Sequence, residues 1–519
     1  MKLARLRRPH ALSKPEPVLV EPRVLNDVHS QLNPSRPARV ESPRSLAGLQ
    51  DILRRAKREG RKVAVAGGCH AMGGQQFLDG AVQVDMTALD AVLNTDAVRG
   101  LLHIEAGAMW PAIIAASHAL RAPDGREWGI RQKQTGVDTV TLGGSISANA
   151  HGRGLTLAPM IDDIEDITLV DADGEVRVLS REHHAEWFSL VAGGYGLFGA
   201  IYSATLRLAP RQRVERVVDI IDLDDAMGAV YRRVAEGCVY GDFQFVIDAG
   251  DPRFLKRGVF ACYRPVGGDA DADPHGADLN SDAWLKLLKL AHENKREAFR
   301  LYSQHYLSTD GCRYWSDTMQ LSTYIPSYAE FLESARPEGL AQRVRETLVI
   351  GEHYVPHDRL LDFMARAREI LRVFGTEVIY GTIRAIARDT TSFLPWAKDD
   401  YACVIFNLRT PHDAAGIART AATFRALTDA GNALGGSFFL TYHRFATAAQ
   451  VASAYPQFPA WLRKKRDYDP EERFCSAWYL HYRDAFAARM PAAARATGAE
   501  LPALALPVAA LTSPALNAR

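Results

Sequence analysis

Three glycine-rich stretches, all between positions 67 and 199, constrain this chain more than any other feature. They are Gly67-Gly68-Cys69-His70-Ala71-Met72-Gly73-Gly74, the small-residue run from Gly143-Gly144 to His151-Gly152-Arg153-Gly154, and the cluster Gly193 to Gly199. Glycine on its own most often just makes turns. A run of residues with little side-chain bulk also lets backbone approach a large flat ligand, or aims successive N–H groups at an anion. Three such runs within one unit of alternating helix and strand point to a ligand the size of a dinucleotide. The last cluster contains Gly194-Tyr195-Gly196-Leu197-Phe198-Gly199, a literal GxGxxG. A Rossmann site needs a strand before that motif and a helix opening at it. Here Ile201 to Leu208 follows with strand-like alternation, so the Rossmann context is wrong.

The surrounding pattern sets the organisation. Ser45 to Arg58 has helical apolar spacing, Lys62 to Ala66 and Ala81 to Met86 read as strands, and Leu101 to Gly107 as another. Trp110 to Leu120 is a predicted helix, and Ile161 to Leu179 a hairpin turning at Asp171-Ala172-Asp173-Gly174. After Pro210 the composition shifts to aromatics and longer amphipathic helices such as Leu360 to Phe374, with strands at Gln244 to Ile247 and Tyr401 to Phe406. Gly267 to Asp282 is acidic and glycine-rich, as a surface loop would be. The last 29 residues hold eleven alanines and four prolines with one acidic residue, the composition of a disordered appendage.

Charge and cysteine usage exclude several classes. Lys and Arg number 62 against 61 Asp and Glu, without the basic excess of a nucleic-acid binder. No apolar run is long enough to span a bilayer. Near the N-terminus, Lys2, Arg5, Arg7 and Arg8 form a local basic cluster without an apolar anchor, which allows weak membrane-surface association only. The start also lacks the apolar core of a signal peptide. Six scattered cysteines without a CxxC pair fit reduced thiols, and the expected location is cytoplasmic.

Residues from about 42 to 210 resemble the FAD domain of the vanillyl-alcohol oxidase / p-cresol methylhydroxylase (PCMH-type) flavoproteins. The segments carrying this are VAVAGGCHAMGGQQFLDG, TVTLGGSISANAHGRG, DITLVDADGEVR and VAGGYGLFGAIYSATLRLAP, in the family's order. Tyr455 to Trp478 is similar to the returning segment of sugar-lactone and decaprenylphosphoryl-ribose oxidases; EHYVP (Glu352 to Pro356) and TIRAI (Thr382 to Ile386) resemble cap strands of alditol and lactone oxidases. The resemblance implies an α+β chain: a PCMH-type FAD domain of two α/β subdomains at 35–210, an inserted α+β cap at 211–440, and a segment at 441–490 returning to the FAD domain. Residues 1–34 would be an N-terminal extension and 491–519 a tail.

It also implies FAD as cofactor. Gly67, Gly68, Cys69, His70, Ala71 and Met72 would form the pyrophosphate loop; Leu142, Gly143, Gly144, Ser147, Asn149, Ala150, His151, Gly152 and Gly154 would run beside the flavin; Ile201 would meet the adenine end. In lactone oxidases and cytokinin dehydrogenases the histidine matching His70 is bonded to the flavin, whereas decaprenylphosphoryl-ribose oxidases lack it. Ala71 replaces the usual following serine.

The implied activity is oxidation of a CH–OH carbon of a sugar, sugar lactone, alditol or similar small hydroxylated substrate, by hydride transfer to flavin N5. Oxygen or another acceptor would reoxidise the flavin. Arg384 would face the substrate, although the family's Glu two residues earlier is Thr382. Tyr442 and His443 lie where lactone oxidases carry a flavin-proximal lysine. His443 is the expected base because its ordinary pKa is near neutral, with geometry deciding which side chain points inward. His353 and Tyr354 are weaker pocket candidates, and His151 would order its own loop. A metal site is not expected, because Pro356 stands inside the HxxxH spacing of His353 and His357. Alternatives are a flavoprotein component of a lipid-linked sugar epimerase, a C=C reductase, or a non-catalytic flavin-binding scaffold.

Overall fold

The computed structural model describes residues 24–267, 279–322 and 344–489. The basic cluster at positions 2–8, most of the acidic loop and the Ala/Pro-rich tail lie outside these residues. The chain is α+β, built on three principal sheets.

A small parallel sheet orders β1 (Arg39–Glu41), β3 (Val82–Asp85) and β2 (Val63–Ala66), with the helix Leu46–Arg58 packed on it. Leu49, Ile52, Leu53 and Ala56 recur at helical spacing, so one face of that helix is buried against Val63, Val82 and Val84. Ser45 caps its start and basic residues fill its last turn.

A five-stranded antiparallel sheet follows, in the order β4 (Val92–Asp96), β5 (Leu101–Glu105), β9 (Ala200–Arg207), β7 (Ile164–Val170), β8 (Val176–Ser180). β7 and β8 form the hairpin expected from its Asp-Gly turn. The residues after the literal GxGxxG enter β9, with no helix there to face a pyrophosphate. Short β6 (Trp128–Gly129) and β10 (Ala209–Pro210) pair at the exit of this region.

The third sheet has eight strands. They are β11 (Arg213–Asp222), β12 (Tyr240–Phe245), β13 (Arg257–Pro265), β14 (Arg313–Trp315), β15 (Glu346–Pro356), β16 (Val378–Ile386), β17 (Tyr401–Pro411) and β18 (Ser437–Phe438). Their spatial order is β14-β11-β13-β12-β16-β17-β15-β18. The helices Leu360–Phe374 and Ala414–Asn432 cover one face. The other face looks toward the two smaller sheets.

The C-terminal segment closes the molecule. Val63 donates to the carbonyl of Arg473 at 2.7 Å and accepts from Cys475 at 2.9 Å, so the end of the chain lies beside β2. Phe458, Trp461, Trp478 and Tyr482 pack with Tyr195 and Phe198 in the largest core cluster. Residues near the start are equally bound in. Asp27, Ser30 and Asn33 are buried, and Asn33 Nδ2 donates to the carbonyl of Met72 at 2.6 Å. Among the described residues no helix is long and apolar enough to cross a membrane.

Candidate active site

A cavity of about 660 Å³ lies between the five-stranded sheet and the eight-stranded one. Its size is that of a cofactor site with room for a second ligand.

One end is the loop after β2. Its two leading glycines are required by the protein itself. A Cβ on Gly67 would sit 2.1 Å from Thr141 Oγ1, and one on Gly68 2.2 Å from the carbonyl oxygen of Thr139. Cys69 then takes a left-handed backbone, φ 59°, a costly conformation for a side chain with a Cβ. Among the described residues, the N–H groups of Cys69, His70 and Ala71 find no acceptor within the protein. Three successive N–H groups left over beside a cavity suit an anion. The loop is tied from both ends of the chain: Val28 N–H donates to Cys69 O at 3.1 Å, and Met72 N–H to Thr441 O at 3.0 Å.

His70 lines the cavity, with Nδ1 2.9 Å from Nε2 of His29 and Nε2 3.0 Å from Thr139 Oγ1. Burial lowers both imidazoles, His70 to about 3 and His29 to about 4, so both are neutral near pH 7. His29 is a wall residue that no motif announced.

The second wall is the helix Leu142–Ala148. Thr141 caps it by accepting from Gly144 N–H at 3.2 Å, and Asn149 ends it in the left-handed region. Gly143, Gly144, Ser147, Ala150 and His151 face the cavity, as does Ile201. Leu142, Asn149, Gly152 and Gly154 stand behind this wall. Asn149 Nδ2 donates to Asp389 at 2.8 Å while its Oδ1 accepts from Ile161 N–H, so its amide holds the loop.

Opposite lies a buried polar cluster centred on Glu352 of β15. Its Oε1 accepts from His151 Nε2 at 2.5 Å, from the Tyr354 hydroxyl at 2.5 Å and from the Cys403 thiol at 3.2 Å. Its Oε2 accepts from the Tyr442 hydroxyl at 2.8 Å. His151 Nδ1 lies 2.9 Å from the carbonyl of Gly152, which can only accept. His151 and Glu352 thus form a buried, hydrogen-bonded pair. Burial alone would raise Glu352, but the charge of His151 and the hydrogen bonds from His151, Tyr354 and Tyr442 outweigh it and hold the carboxyl at about 2. Trp396 stacks on Tyr354 with ring centroids 4.4 Å apart, and Phe439 closes over both. Sheet register builds this cluster: Tyr354, Cys403 and Arg384 stand opposite one another across β15, β17 and β16.

Arg384 and Tyr442 line the cavity. His443 is outside the wall, its ring stacked on Phe445 at 3.9 Å. The chain turns here after the short strand β18, and it is Tyr442 whose side chain reaches the cavity wall. Tyr354 reaches the Glu352 cluster, whereas His353 lies on the far face of β15 between Phe363 and Phe424. His357 is bonded to the Tyr231 hydroxyl, well apart from His353 in role. His151, Glu352 and Cys403 bring three potential metal-ligand atoms within 4.8 Å of one another, but Glu352 Oε1 is already taken by three donors.

Among the described residues neither ring nitrogen of His353 has a partner, and burial lowers its pKa to about 3. Between pH 6.5 and 3 the unfolded chain binds a proton there that the folded chain refuses, so stability falls as pH drops through that window. His353→Leu is expected to stabilise the protein by about 1–3 kcal/mol at pH 7. It should also flatten the acid loss by about 1.4 kcal/mol per pH unit, read by denaturant unfolding at pH 7 and 5.

Glu352 belongs to the EHYVP motif, yet the motif alone does not place it in the site. The signal for it is a lone carboxylate in the apolar strand run LVIGEHYV; such a residue needs a buried partner.

Residues 37–180 match the family model described as FAD binding domain. The chain is similar to an uncharacterized oxidoreductase of the fasciation locus of Rhodococcoides fascians, 32% identical over 183 residues, 34% of this chain and 38% of that protein. It is similar to L-gulono-1,4-lactone dehydrogenase of Mycobacterium tuberculosis, 24% identical over 445 residues, 84% of this chain and 94% of the relative. Decaprenylphosphoryl-beta-D-ribose oxidase of Mycolicibacterium smegmatis is 27% identical over 175 residues, 33% of this chain and 36% of that protein. The chain thus spans well under two thirds of the first and third relatives' length.

Proposed function

The chain belongs to the PCMH-type FAD-dependent oxidoreductases, and on that basis we propose that it oxidises a CH–OH carbon of a sugar, sugar lactone, alditol or related hydroxylated substrate. The observation that carries this reading is the chain Tyr442–Glu352–His151, whose open end is the Tyr442 hydroxyl on the cavity wall. In this reading an FAD domain of 35–210 and 441–490 carries an inserted cap of 211–440, and the protein works in the cytoplasm. Cys69, His70 and Ala71 would hold the pyrophosphate through their N–H groups, and the small-residue helix would lie along the rings.

When bound, FAD supplies the two-electron acceptor. Arg384 orients the substrate oxygen, its Nε being buried and without a partner among the described residues. Tyr442 Oη donates to Glu352 Oε2, which leaves its lone pairs for the substrate hydroxyl. As the carbon gives up hydride, the hydroxyl proton becomes strongly acidic. Tyr442 takes it while passing its own proton to Glu352 Oε2, so even a carboxylate held near 2 is base enough. Trp396, Tyr354 and Phe439 keep water from this relay. Anaerobic bleaching of the flavin absorbance with alcohol, lactone and hydroxy-acid panels tests the reading; bound FAD that no panel member bleaches faster than buffer would point to a scaffold.

The place of His70 in the wall, with neutral His29 at 2.9 Å, supports covalent attachment of FAD through His70. Acid precipitation of the purified protein should give a yellow pellet. A colourless pellet under a yellow supernatant would rule the linkage out.

A second reading, a lipid-linked hydroxylated substrate, is favoured by one feature. The helix Ser281–Glu293 lines the far end of the cavity with Trp284, Leu287, Leu288 and Ala291, an apolar wall suited to an alkyl chain.

A further inference from the structure

Strand register sets two opposite charges side by side on the cavity wall. β12 runs antiparallel to β16 with Phe243 opposite Ile383, so the residues beside them, Asp242 and Arg384, also stand opposite one another. Directly opposite residues share a face of the sheet, and both of these line the cavity. An aspartate and an arginine so placed would ordinarily close an ion pair. Here, among the described residues, the cation within 4 Å of the Asp242 carboxylate is Arg153, whose Nη1 stands 3.8 Å from Oδ1.

What holds Asp242 engages its other oxygen. Gln244 Nε2 lies 3.0 Å from Oδ2, and the Thr382 hydroxyl 3.2 Å from it, that hydroxyl being shared with the carbonyl of Phe243 at 3.1 Å. Oδ1 accepts no hydrogen bond among the described residues, its nearest donor being the distant Arg153. On the facing strand, Arg384 Nε is buried and likewise has no acceptor among the described residues. A buried acceptor and a buried donor are thus both left open toward one cavity, each at a cost that a ligand can relieve. Arg384 in turn stands opposite Cys403 of β17, whose thiol donates to Glu352. Asp242 is therefore two strand spacings, about 10 Å, from the strand that meets the Glu352 cluster.

We propose that Asp242 is a specificity-determining residue that, with Arg384, holds a second hydroxyl of the substrate, a few carbons from the carbon that is oxidised. This rests on the reading of the site as an alcohol-oxidising centre and names the class of alcohol, a polyol. A hydroxyl is the group that suits the pair, because it donates to Asp242 Oδ1 and accepts from Arg384 at once. A carboxylate or phosphate only accepts, and would leave Asp242 facing a like charge. An ammonium only donates, and would leave Arg384 unanswered. Gln244 and Thr382 fix the Asp242 carboxylate before the ligand arrives, which lowers the ordering cost of binding.

The experiment compares a linear alditol, analogues lacking in turn each hydroxyl other than the one oxidised, and the matching aldonate, all on the FAD-loaded protein. Dissociation constants come from calorimetry, and flavin bleaching rates are measured in parallel. At least one deoxy analogue should bind about tenfold or more weakly than the alditol, the factor a hydrogen bond to a charged group is worth. Asp242→Asn should shrink that gap to about threefold or less. It should also improve the aldonate relative to the alditol, since a negative charge has left the pocket. Asp242→Ser serves as a second variant with the same expected outcome. Equal binding of the alditol and every deoxy analogue by the wild type overturns the assignment, as does a tenfold gap that survives loss of the carboxylate. Tight, hydroxyl-dependent binding without bleaching would support the subsite while removing the oxidation reading, so the two fail separately.

Discussion

Tyr442→Phe is expected to slow flavin reduction by about 10²–10⁴-fold while FAD stays bound, the range over which a positioned acid–base group contributes. The change removes one oxygen and leaves the ring. It also takes from Glu352 Oε2 the hydroxyl that donates to it at 2.8 Å, so some loss of stability accompanies the loss of rate. The control is the adjacent residue. His443→Ala should leave the rate of reduction within about threefold, because its ring packs on Phe445 outside the cavity and reaches no reacting atom. Stopped-flow reduction of both variants decides the assignment. A His443→Ala enzyme that is slow with FAD bound, beside a fast Tyr442→Phe enzyme, would exchange the roles of the two residues.

Glu352→Gln should be the most destabilising single change at the site, by about 3–5 kcal/mol, the cost of breaking a buried pair and stranding one charge. A glutamine amide offers donors where His151, Tyr354, Cys403 and Tyr442 already donate, so the clash is chemical as well as electrostatic. The pH dependence has a definite sign. Glu352 is held at about 2 in the folded chain against an ordinary 4.5, so its contribution is complete above 4.5 and is lost as pH falls toward 2. Denaturant unfolding of wild type and variant should therefore approach one another as pH falls below 4.5 and converge only near pH 2. Coupling gives a second check: Glu352→Leu combined with His151→Leu should cost less than the sum of the two single changes. Strict additivity would mean that the two side chains are not energetically coupled.

Sequence reasoning reaches the parts of this site unevenly. The glycine loop on the cavity wall was legible because backbone chemistry is local: Gly67, Gly68 and the N–H groups of residues 69–71 sit together in sequence as they do in space. The helix Leu46–Arg58 and the hairpin β7–β8 were legible for the same reason, from periodicity and turn chemistry. The buried polar cluster around Glu352 was not. His151, Glu352, Cys403 and Tyr442 are separated by tens to hundreds of residues, and meet only through the pairing of β15 with β17 and the return of the C-terminal segment.

The N-terminal stretch gives a similar lesson. Counted as part of an extension, residues 24–34 instead supply His29 to the cavity wall and Asn33 to the carbonyl of Met72. Nothing in their composition marks them, since a histidine gains meaning only from the neighbour at its ring nitrogen.

The class of protein, its FAD cofactor and the glycine loop that lines the cavity can all be read from the unfolded string of residues. These depend on short runs whose backbone geometry follows from the residues in them. Folding in three dimensions settles which member of the Tyr442–His443 pair lines the cavity, and that Glu352 is its hydrogen-bond partner. Such facts depend on strand register and on closure of distant segments, where a shift of one residue turns a side chain to the opposite face.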